Sequence, residues 1–336
     1  MSYFFDTYNS IRYPIQSGKE AGLRNAQLGA VHAIGSFLSL HKKLPGIIVM
    51  PTGSGKSSII MMTPYLALSK KVLIVTTSKM VRGQIFKDFS LLITLKEINV
   101  LDIFINPPKV LEMTKLYSPE MDNNILSNDV VLATPQCALS ISKNEIKKSF
   151  DLVIIDEAHH ISAAKWYQIL TNMKNAKQFL FTATPFRMDK KEIKGEIIYN
   201  YPLSMAYHDG IFGNILYIPI EEAVNKDILI AKETERIFIN DKHNGYNHFI
   251  MVRTDSKNKA KFLQVLYEQE TKLRLKRIDS SMPYIMIEKT IEMMKEGAID
   301  GVICVNMLGE GFDFPNLKIA AIHSPQKSLA SNQFIK

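Results

Sequence analysis

Short apolar runs recur along the chain, each closed by small or polar residues. They are Gly46-Ile47-Ile48-Val49-Met50, Val72-Leu73-Ile74-Val75, Val130-Val131-Leu132, Leu152-Val153-Ile154-Ile155 and Gln178-Phe179-Leu180-Phe181. The runs are rich in β-branched residues and do not alternate, the pattern of strands buried on both faces of a parallel sheet. Mixed segments of helical length, such as Ser57–Leu68 and Met80–Phe89, separate them. Alternating strand and helix signals predict an α/β unit whose ligand sites lie at the C-terminal ends of its strands. A second series, Ile215-Leu216-Tyr217-Ile218, Phe249-Ile250-Met251-Val252, Val302-Ile303-Cys304-Val305 and Ile319-Ala320-Ala321-Ile322, predicts a second α/β unit. Between the series, Met188–Gly213 carries Lys, Gly, Asp and Pro without a period. The boundary is placed there, giving units 1–206 and 207–336.

A length of 336 residues exceeds one ordinary core and accommodates two. The net charge of +8 favours polyanionic partners, because lysine and arginine displace counterions from phosphates. Two cysteines, Cys137 and Cys304, exclude a disulfide framework and a cysteine-rich zinc site. The first ten residues lack a basic segment followed by an apolar one, and no apolar run approaches the roughly 18 residues needed to cross a bilayer. A cytoplasmic protein without a membrane partner is expected. His159, His160 and His208 have no Cys or carboxylate partners at metal-ligand spacing and read as solvated or interlobe histidines.

Candidate chemistry follows two of the runs. Directly after Gly46–Met50 comes Pro51-Thr52-Gly53-Ser54-Gly55-Lys56-Ser57-Ser58, leading into a helical segment. Glycines let the backbone curl so that its N–H groups point at phosphates, with a helix N-terminus behind them. In that pattern Lys56 holds the β- and γ-phosphates of ATP and the Ser57 hydroxyl ligates Mg²⁺. The general form begins with glycine five residues before Gly55, where this chain has Met50. After Leu152–Ile155 comes Asp156-Glu157-Ala158-His159. An acidic pair at a strand end suits magnesium, which keeps several waters and takes few carboxylates. Asp156 is assigned to the metal, Glu157 to orienting and deprotonating the attacking water, and His159 to sensing the γ-phosphate. Alone, the acidic pair would read equally well as a helix start.

The order of the phosphate loop, Asp156-Glu157-Ala158-His159 and then Thr182-Ala183-Thr184-Pro185 resembles superfamily 2 DEAH-type helicases and translocases. The nearest subgroup holds the motor subunits of type I and type III restriction enzymes, and the resemblance runs from about Leu23 to Gln333. It implies two RecA-like lobes, each a mostly parallel sheet flanked by helices, and an ATP hydrolase working with Mg²⁺ between them. Leu23-Arg24-Asn25-Ala26-Gln27 is similar to the adenine-recognition motif, with Gln27 reading the base edge, Arg24 assisting and Tyr13 or Pro14 stacking. Thr76-Thr77-Ser78 and Thr134-Pro135-Gln136 are similar to motifs that grip a sugar–phosphate backbone, which implicates Thr77, Ser78, Thr134 and Pro135. Thr182, Thr184 and Arg187 fall in the motif that couples nucleotide state to lobe movement. Val252-Arg253-Thr254 resembles motif IV, with Arg253 against nucleic acid. Gly309-Glu310-Gly311-Phe312-Asp313 resembles motif V, with Gly311 and Asp313 toward the nucleotide and Glu310 toward the strand.

One departure stands out. The family follows motif V with Gln-x-x-Gly-Arg-x-x-Arg, which supplies arginine fingers, whereas this chain reads Ser331-Asn332-Gln333-Phe334-Ile335-Lys336 and stops. The resemblance therefore implies an incomplete second lobe that binds ATP and turns it over weakly, as expected of a piece cut within that motif. The family reading favours DNA over RNA and a nuclease or accessory domain or subunit outside this chain. Two alternatives stay open: a duplex DNA translocase subunit of a restriction or defence complex, and an ATP-binding nucleic-acid switch or scaffold that does not unwind. A small-molecule kinase with the same loop is disfavoured by the second and third motifs.

Overall fold

The computed structural model describes residues 2–76, 79–158, 163–184, 194–213, 215–221, 224–279, 282, 284–305 and 316–324. It divides into two compact units, Met1–Phe212 and Gly213–Lys336. The division falls after Phe212 because Ala206 and Phe212 are buried in the core of the first unit.

The first unit is built on seven strands: β1 Gly46–Val49, β2 Val72–Val75, β3 Val110–Met113, β4 Val130–Ala133, β5 Leu152–Ile155, β6 Lys177–Thr182 and β7 Glu196–Asn200. They form one sheet in the order β3-β4-β2-β5-β6-β1-β7, and every pair is parallel. Successive residues of each central strand enter opposite cores. Ile48, Ile74, Leu132, Ile154 and Phe181 face one core. Val49, Val75, Val131, Val153 and Leu180 face the other. Both faces are thus dry, which is why these strands read as unbroken apolar runs. The helices Asn25–Ser39 and Lys56–Leu66 cover the first face with buried Ala30, Ile34, Ile59 and Met62. Pro135–Ser142 and Ala163–Asn172 cover the second through Ala138, Ile141 and Ile169.

The second unit has a four-stranded sheet, β8 Phe249–Thr254, β9 Leu275–Ile278, β10 Gly301–Val305 and β11 Leu317–Ile322, in the order β11-β8-β10-β9. All its pairs are parallel. Helices Lys226–His243 and Lys257–Glu270 pack on one face, burying Phe238, Leu263 and Tyr267 against Ile250, Val252 and Ile303. Met294 of helix Tyr284–Lys295 packs on the other face with Met251, Val302 and Cys304.

The run Ile215-Leu216-Tyr217-Ile218, expected as a strand, lies outside every sheet, with Leu216 and Tyr217 more than four-fifths exposed. It is apolar but pairs with no strand among the described residues, so composition alone misleads there. Three strands were not expected from the sequence: β3 is interrupted by Glu112, β9 by Lys276 and Arg277, and β7 holds only Ile197-Ile198-Tyr199 between Glu196 and Asn200. β3, β7 and β9 are edge strands, where one side faces polar surroundings. Among the described residues no helix is long and apolar enough to cross a membrane.

A buried polar chain closes the second unit. His323, directly after β11, has a fully buried side chain whose Nδ1 lies 2.7 Å from Asp227 Oδ1 and whose Nε2 lies 3.0 Å from the Tyr267 hydroxyl. The Lys259 amine bonds the other Asp227 oxygen. A neutral imidazole satisfies this arrangement, with Nδ1–H donating to Asp227 and Nε2 accepting from Tyr267. Burial pushes the His323 pKa below the ordinary 6.5, overriding the opposing pull of Asp227. A depressed folded-state value means stability that is complete above the unfolded value and lost as pH falls through the folded one. Urea midpoints should therefore drop between pH of about 7.5 and about 5.5, and the drop should shrink in His323→Gln. Equal midpoints in the unsubstituted chain would overturn this account of the histidine.

Candidate nucleotide site

The site begins where β1 ends. Gly53 and Gly55 have φ of 84° and 88°, the left-handed region that glycine enters without steric cost. A Cβ at Gly55 would also lie 2.2 Å from Gln27 Nε2, so a side chain there would displace the Gln27 amide. Ser54 is fully buried and donates its hydroxyl to the Pro51 carbonyl at 2.6 Å, closing the loop on itself. Gly55 caps the helix Lys56–Leu66. The N-terminus of that helix, the positive end of its dipole, follows directly on the loop, an arrangement that favours an anion.

β6 lies between β5 and β1 in the sheet, and all three run parallel. The segments after β1, β5 and β6 therefore meet at one edge. Lys56, only 9% exposed, reaches across it. Its Nζ forms an ion pair with Glu157 Oε1 and lies 3.8 Å from Asp156 Oδ1. Asp156 and Glu157 are 4% and 7% exposed. Glu157 has φ of 51°, uncommon for a residue with a Cβ and of the kind that clusters at working sites. Its N–H donates to Asp156 Oδ1 at 2.9 Å, while Ala158 N donates to Phe181 O at 3.0 Å, tying the segment to β6. Thr182, fully buried, donates its hydroxyl to the Thr184 carbonyl at 2.7 Å and accepts from Thr184 N at 3.2 Å.

Arg24 and Gln27 stand on the other side of the loop, at the start of the helix Asn25–Ser39. Arg24 Nη1 donates to Gly53 O at 2.9 Å and Gln27 Nε2 to Gly55 O at 3.4 Å. Gln27 Oε1 accepts from Arg24 N at 2.8 Å. Each end of the Gln27 amide has thus spent one of two hydrogen-bonding positions. The second of each pair suits a base that offers a donor next to an acceptor.

A magnesium nucleotide fits this donor set. The loop offers a glycine cradle and a helix N-terminus, and Lys56 places a cation beside two carboxylates. Ser57 is exposed at the first turn, whereas Ser58 is buried. Thr52 Oγ1 is buried without a hydrogen-bond partner among the described residues, a cost of roughly 1–3 kcal/mol that a polar ligand at the loop would relieve. Among the described residues no group of three or more His, Cys, Asp or Glu side chains is placed to hold a metal. Magnesium, which keeps its waters, asks only for one carboxylate and a hydroxyl.

The remaining sequence-derived positions divide. The Thr134 hydroxyl accepts from Cys137 N at 3.2 Å and so caps the helix Pro135–Ser142, with Pro135 buried at its first position. Arg253 ends up 8% exposed on β8, where burial lowers its pKa. Thr77, Ser78, His159, Arg187, Glu310, Gly311, Asp313 and Gln333 lie outside the described residues. A cluster for which the sequence offered no spacing signal lies beside Arg24 and Gln27: Asn25, Tyr201 and Asp209, joined by hydrogen bonds.

Taken together, a parallel sheet with a phosphate loop after β1 and an acidic pair after β5 defines a P-loop nucleotide-binding protein of the RecA-like kind, followed by a second parallel α/β unit. The family described as "Type III restriction enzyme, res subunit" matches residues 20–187, and "Helicase conserved C-terminal domain" matches residues 230–335. The chain belongs to the superfamily 2 helicases related to the type III restriction enzyme res subunit. A 51.5 kDa protein of Lactococcus phage (isolate 7-9) is 24% identical over 203 residues, covering 53% of this chain and 43% of the relative. This chain thus spans less than half the length of that curated relative. Among solved structures, the Mycobacterium smegmatis helicase Lhr bound to ssDNA and AMP-PNP aligns over 91% of this chain and 43% of its own, with a TM-score of 0.62 at 17% identity. The ATP-dependent type ISP restriction-modification enzyme LlaBIII bound to DNA aligns over 94% and 27%, with a TM-score of 0.59 at 18% identity. S. cerevisiae Dbp5 bound to RNA and ADP BeF3 aligns over 89% and 78%, with a TM-score of 0.54 at 13% identity. At these identities the likeness is one of fold.

Proposed function

We propose that this chain is the motor core of a DNA helicase or translocase that hydrolyses ATP with magnesium. The observation that carries the proposal is the buried cluster of Lys56, Asp156 and Glu157 at the C-terminal edge of the first sheet, beside the glycine loop. Lys56 exchanges carboxylate partners for the β- and γ-phosphates of the nucleotide. Ser57 and Asp156 would hold magnesium, which supplies positive charge against the phosphate oxygens. Glu157 orients the attacking water and takes its proton. Gln27 reads the adenine edge, with Arg24 holding the loop from outside.

Nucleic acid as the partner is supported by the family and by charge. Residues 1–212 carry 24 Lys and Arg against 17 Asp and Glu, and residues 213–336 carry 17 against 16. Nearly all of the positive surplus therefore lies on the nucleotide-binding unit. DNA is favoured over RNA because the matched family and LlaBIII are restriction enzymes. A nuclease or accessory domain or subunit acting with this core follows from the same likeness. Thr134, Arg253 and the motif V loop are assigned to the sugar–phosphate backbone, so the core should be largely indifferent to base sequence.

Steady-state ATP hydrolysis by the full-length gene product, measured without nucleic acid and with single-stranded DNA, duplex DNA or single-stranded RNA, tests the reading. Stimulation by a DNA is expected, and the effective form separates strand separation from duplex tracking. Tight ATP binding with no stimulation by any polymer would replace the motor with an ATP-binding switch.

A further inference from the structure

The Arg24–Gln27 turn is braced by a chain of hydrogen bonds that begins at the end of β1 and ends on the phosphate loop. Tyr201, just after β7, donates its backbone N–H to Val49 O at 2.9 Å, at the end of the strand that leads into the loop. The hydroxyl of this buried tyrosine donates to Asp209 Oδ2 at 2.6 Å. The same oxygen accepts from Asn25 Nδ2 at 3.1 Å. Asn25 is the first residue of the helix that carries Gln27, and the flanking Arg24 and Gln27 return to the loop at the Gly53 and Gly55 carbonyls. The Asp209 side chain is 13% exposed, and its other oxygen lies 3.1 Å from His208 Nδ1. Gly29, one turn along the same helix, sits where a Cβ would meet the Tyr199 hydroxyl at 2.5 Å, so β7 and the helix are in direct contact there.

We propose that Asp209, held by Tyr201 and holding Asn25, is a positioning residue that fixes the Arg24–Gln27 turn against the phosphate loop and thereby sets the preference for adenine over guanine. This inference rests on the reading of Gln27 as the adenine-recognising residue. An amide oxygen and amine in fixed orientation meet the N6 donor and N7 acceptor of adenine, whereas guanine presents acceptors at both O6 and N7. Discrimination therefore depends on the amide staying in place, because a rotated or displaced amide pairs with either base. Hydrogen bonding from the Tyr201 hydroxyl, then from His208 and Asn25, lowers the Asp209 pKa, which keeps it an acceptor for both partners. Among the described residues neither the Tyr201 nor the Asp209 side chain hydrogen-bonds the phosphate loop; their effect passes through Asn25.

The test is competition of ATP and GTP against a ribose-labelled fluorescent ADP on the full chain, for Asp209→Ala, Tyr201→Phe, Asn25→Ala and Gln27→Ala. Asp209→Ala and Asn25→Ala should each narrow the ATP-over-GTP preference by roughly three- to tenfold, mainly by weakening ATP. Tyr201→Phe, which keeps the ring and removes only the hydroxyl, should move it the same way. In a Gln27→Ala background Asp209→Ala should add nothing. If Gln27→Ala loses the preference while Asp209→Ala and Asn25→Ala keep it, the brace falls and the adenine reading stands. If Gln27→Ala keeps the preference, the adenine reading fails and the brace falls with it. A parallel loss of ATP and GTP affinity, with a lower melting temperature, would reduce Asp209 to a structural residue and also overturn the proposal.

Discussion

Glu157→Gln is expected to lower ATP turnover by about 10²–10⁴-fold, the usual contribution of a general base, while nucleotide affinity changes by less than about threefold. The substitution keeps the shape of the side chain and an oxygen that can face the Lys56 amine, so the ion-pair position is still filled. What is lost is the ability to take a proton. Affinity should hold because one negative charge is removed from beside the phosphates rather than added. On the proposed reading Asp156 is the metal's carboxylate and is not expected to substitute for it. Its Oδ1 already accepts the Glu157 N–H and lies 3.8 Å from Lys56, which suits it to the metal rather than to a water. The left-handed backbone at Glu157 is consistent with this division, since a residue held at φ of 51° is being aimed by the structure around it. Turnover in the presence of the stimulating polymer, read beside equilibrium binding of ATP, checks the prediction. Hydrolysis left intact by Glu157→Gln would move the base to another residue.

The parts of this molecule written in local sequence were readable from it, and the parts built by distant pairing were not. Five central strands of the first unit announced themselves because both of their faces are buried, so Ile47 and Ile48 are apolar for separate reasons and the run has no gap. Edge strands β3, β7 and β9 gave no such run, and the apolar Ile215–Ile218 segment gave one without forming a strand. The phosphate loop was readable because glycine, lysine and serine at that spacing serve one local purpose. The ion pair of Lys56 with Glu157 joins residues 101 positions apart, and only the order of motifs brought them together in advance. Asn25 and Asp209 are 184 positions apart, and neither residue type is unusual where it stands. Thr134 illustrates the opposite case, a motif residue whose hydroxyl caps its own helix while it is assigned to nucleic acid.

Lys56→Ala should both weaken nucleotide binding and destabilise the first unit, and the two effects share one cause. Losing a charged contact that is buried with its partner costs about 2–5 kcal/mol, or roughly thirtyfold or more in ATP affinity. The same amine lies between Asp156 and Glu157, which are 4% and 7% exposed. Without it two neighbouring carboxylates stay buried with no lysine between them. Removing one partner of a buried ion pair typically costs about 3–5 kcal/mol, far more than the pair contributes relative to an apolar replacement. Thermal unfolding of the chain without nucleotide should therefore begin at a distinctly lower temperature in Lys56→Ala. The coupling can be isolated by a cycle with Glu157→Gln. In that background the lysine faces one carboxylate and one neutral amide, so its removal should cost measurably less. Equal costs in both backgrounds would mean that Lys56 and Glu157 do not support each other in the folded chain, and that the ion pair contributes nothing to holding β1 and β5 together at the site.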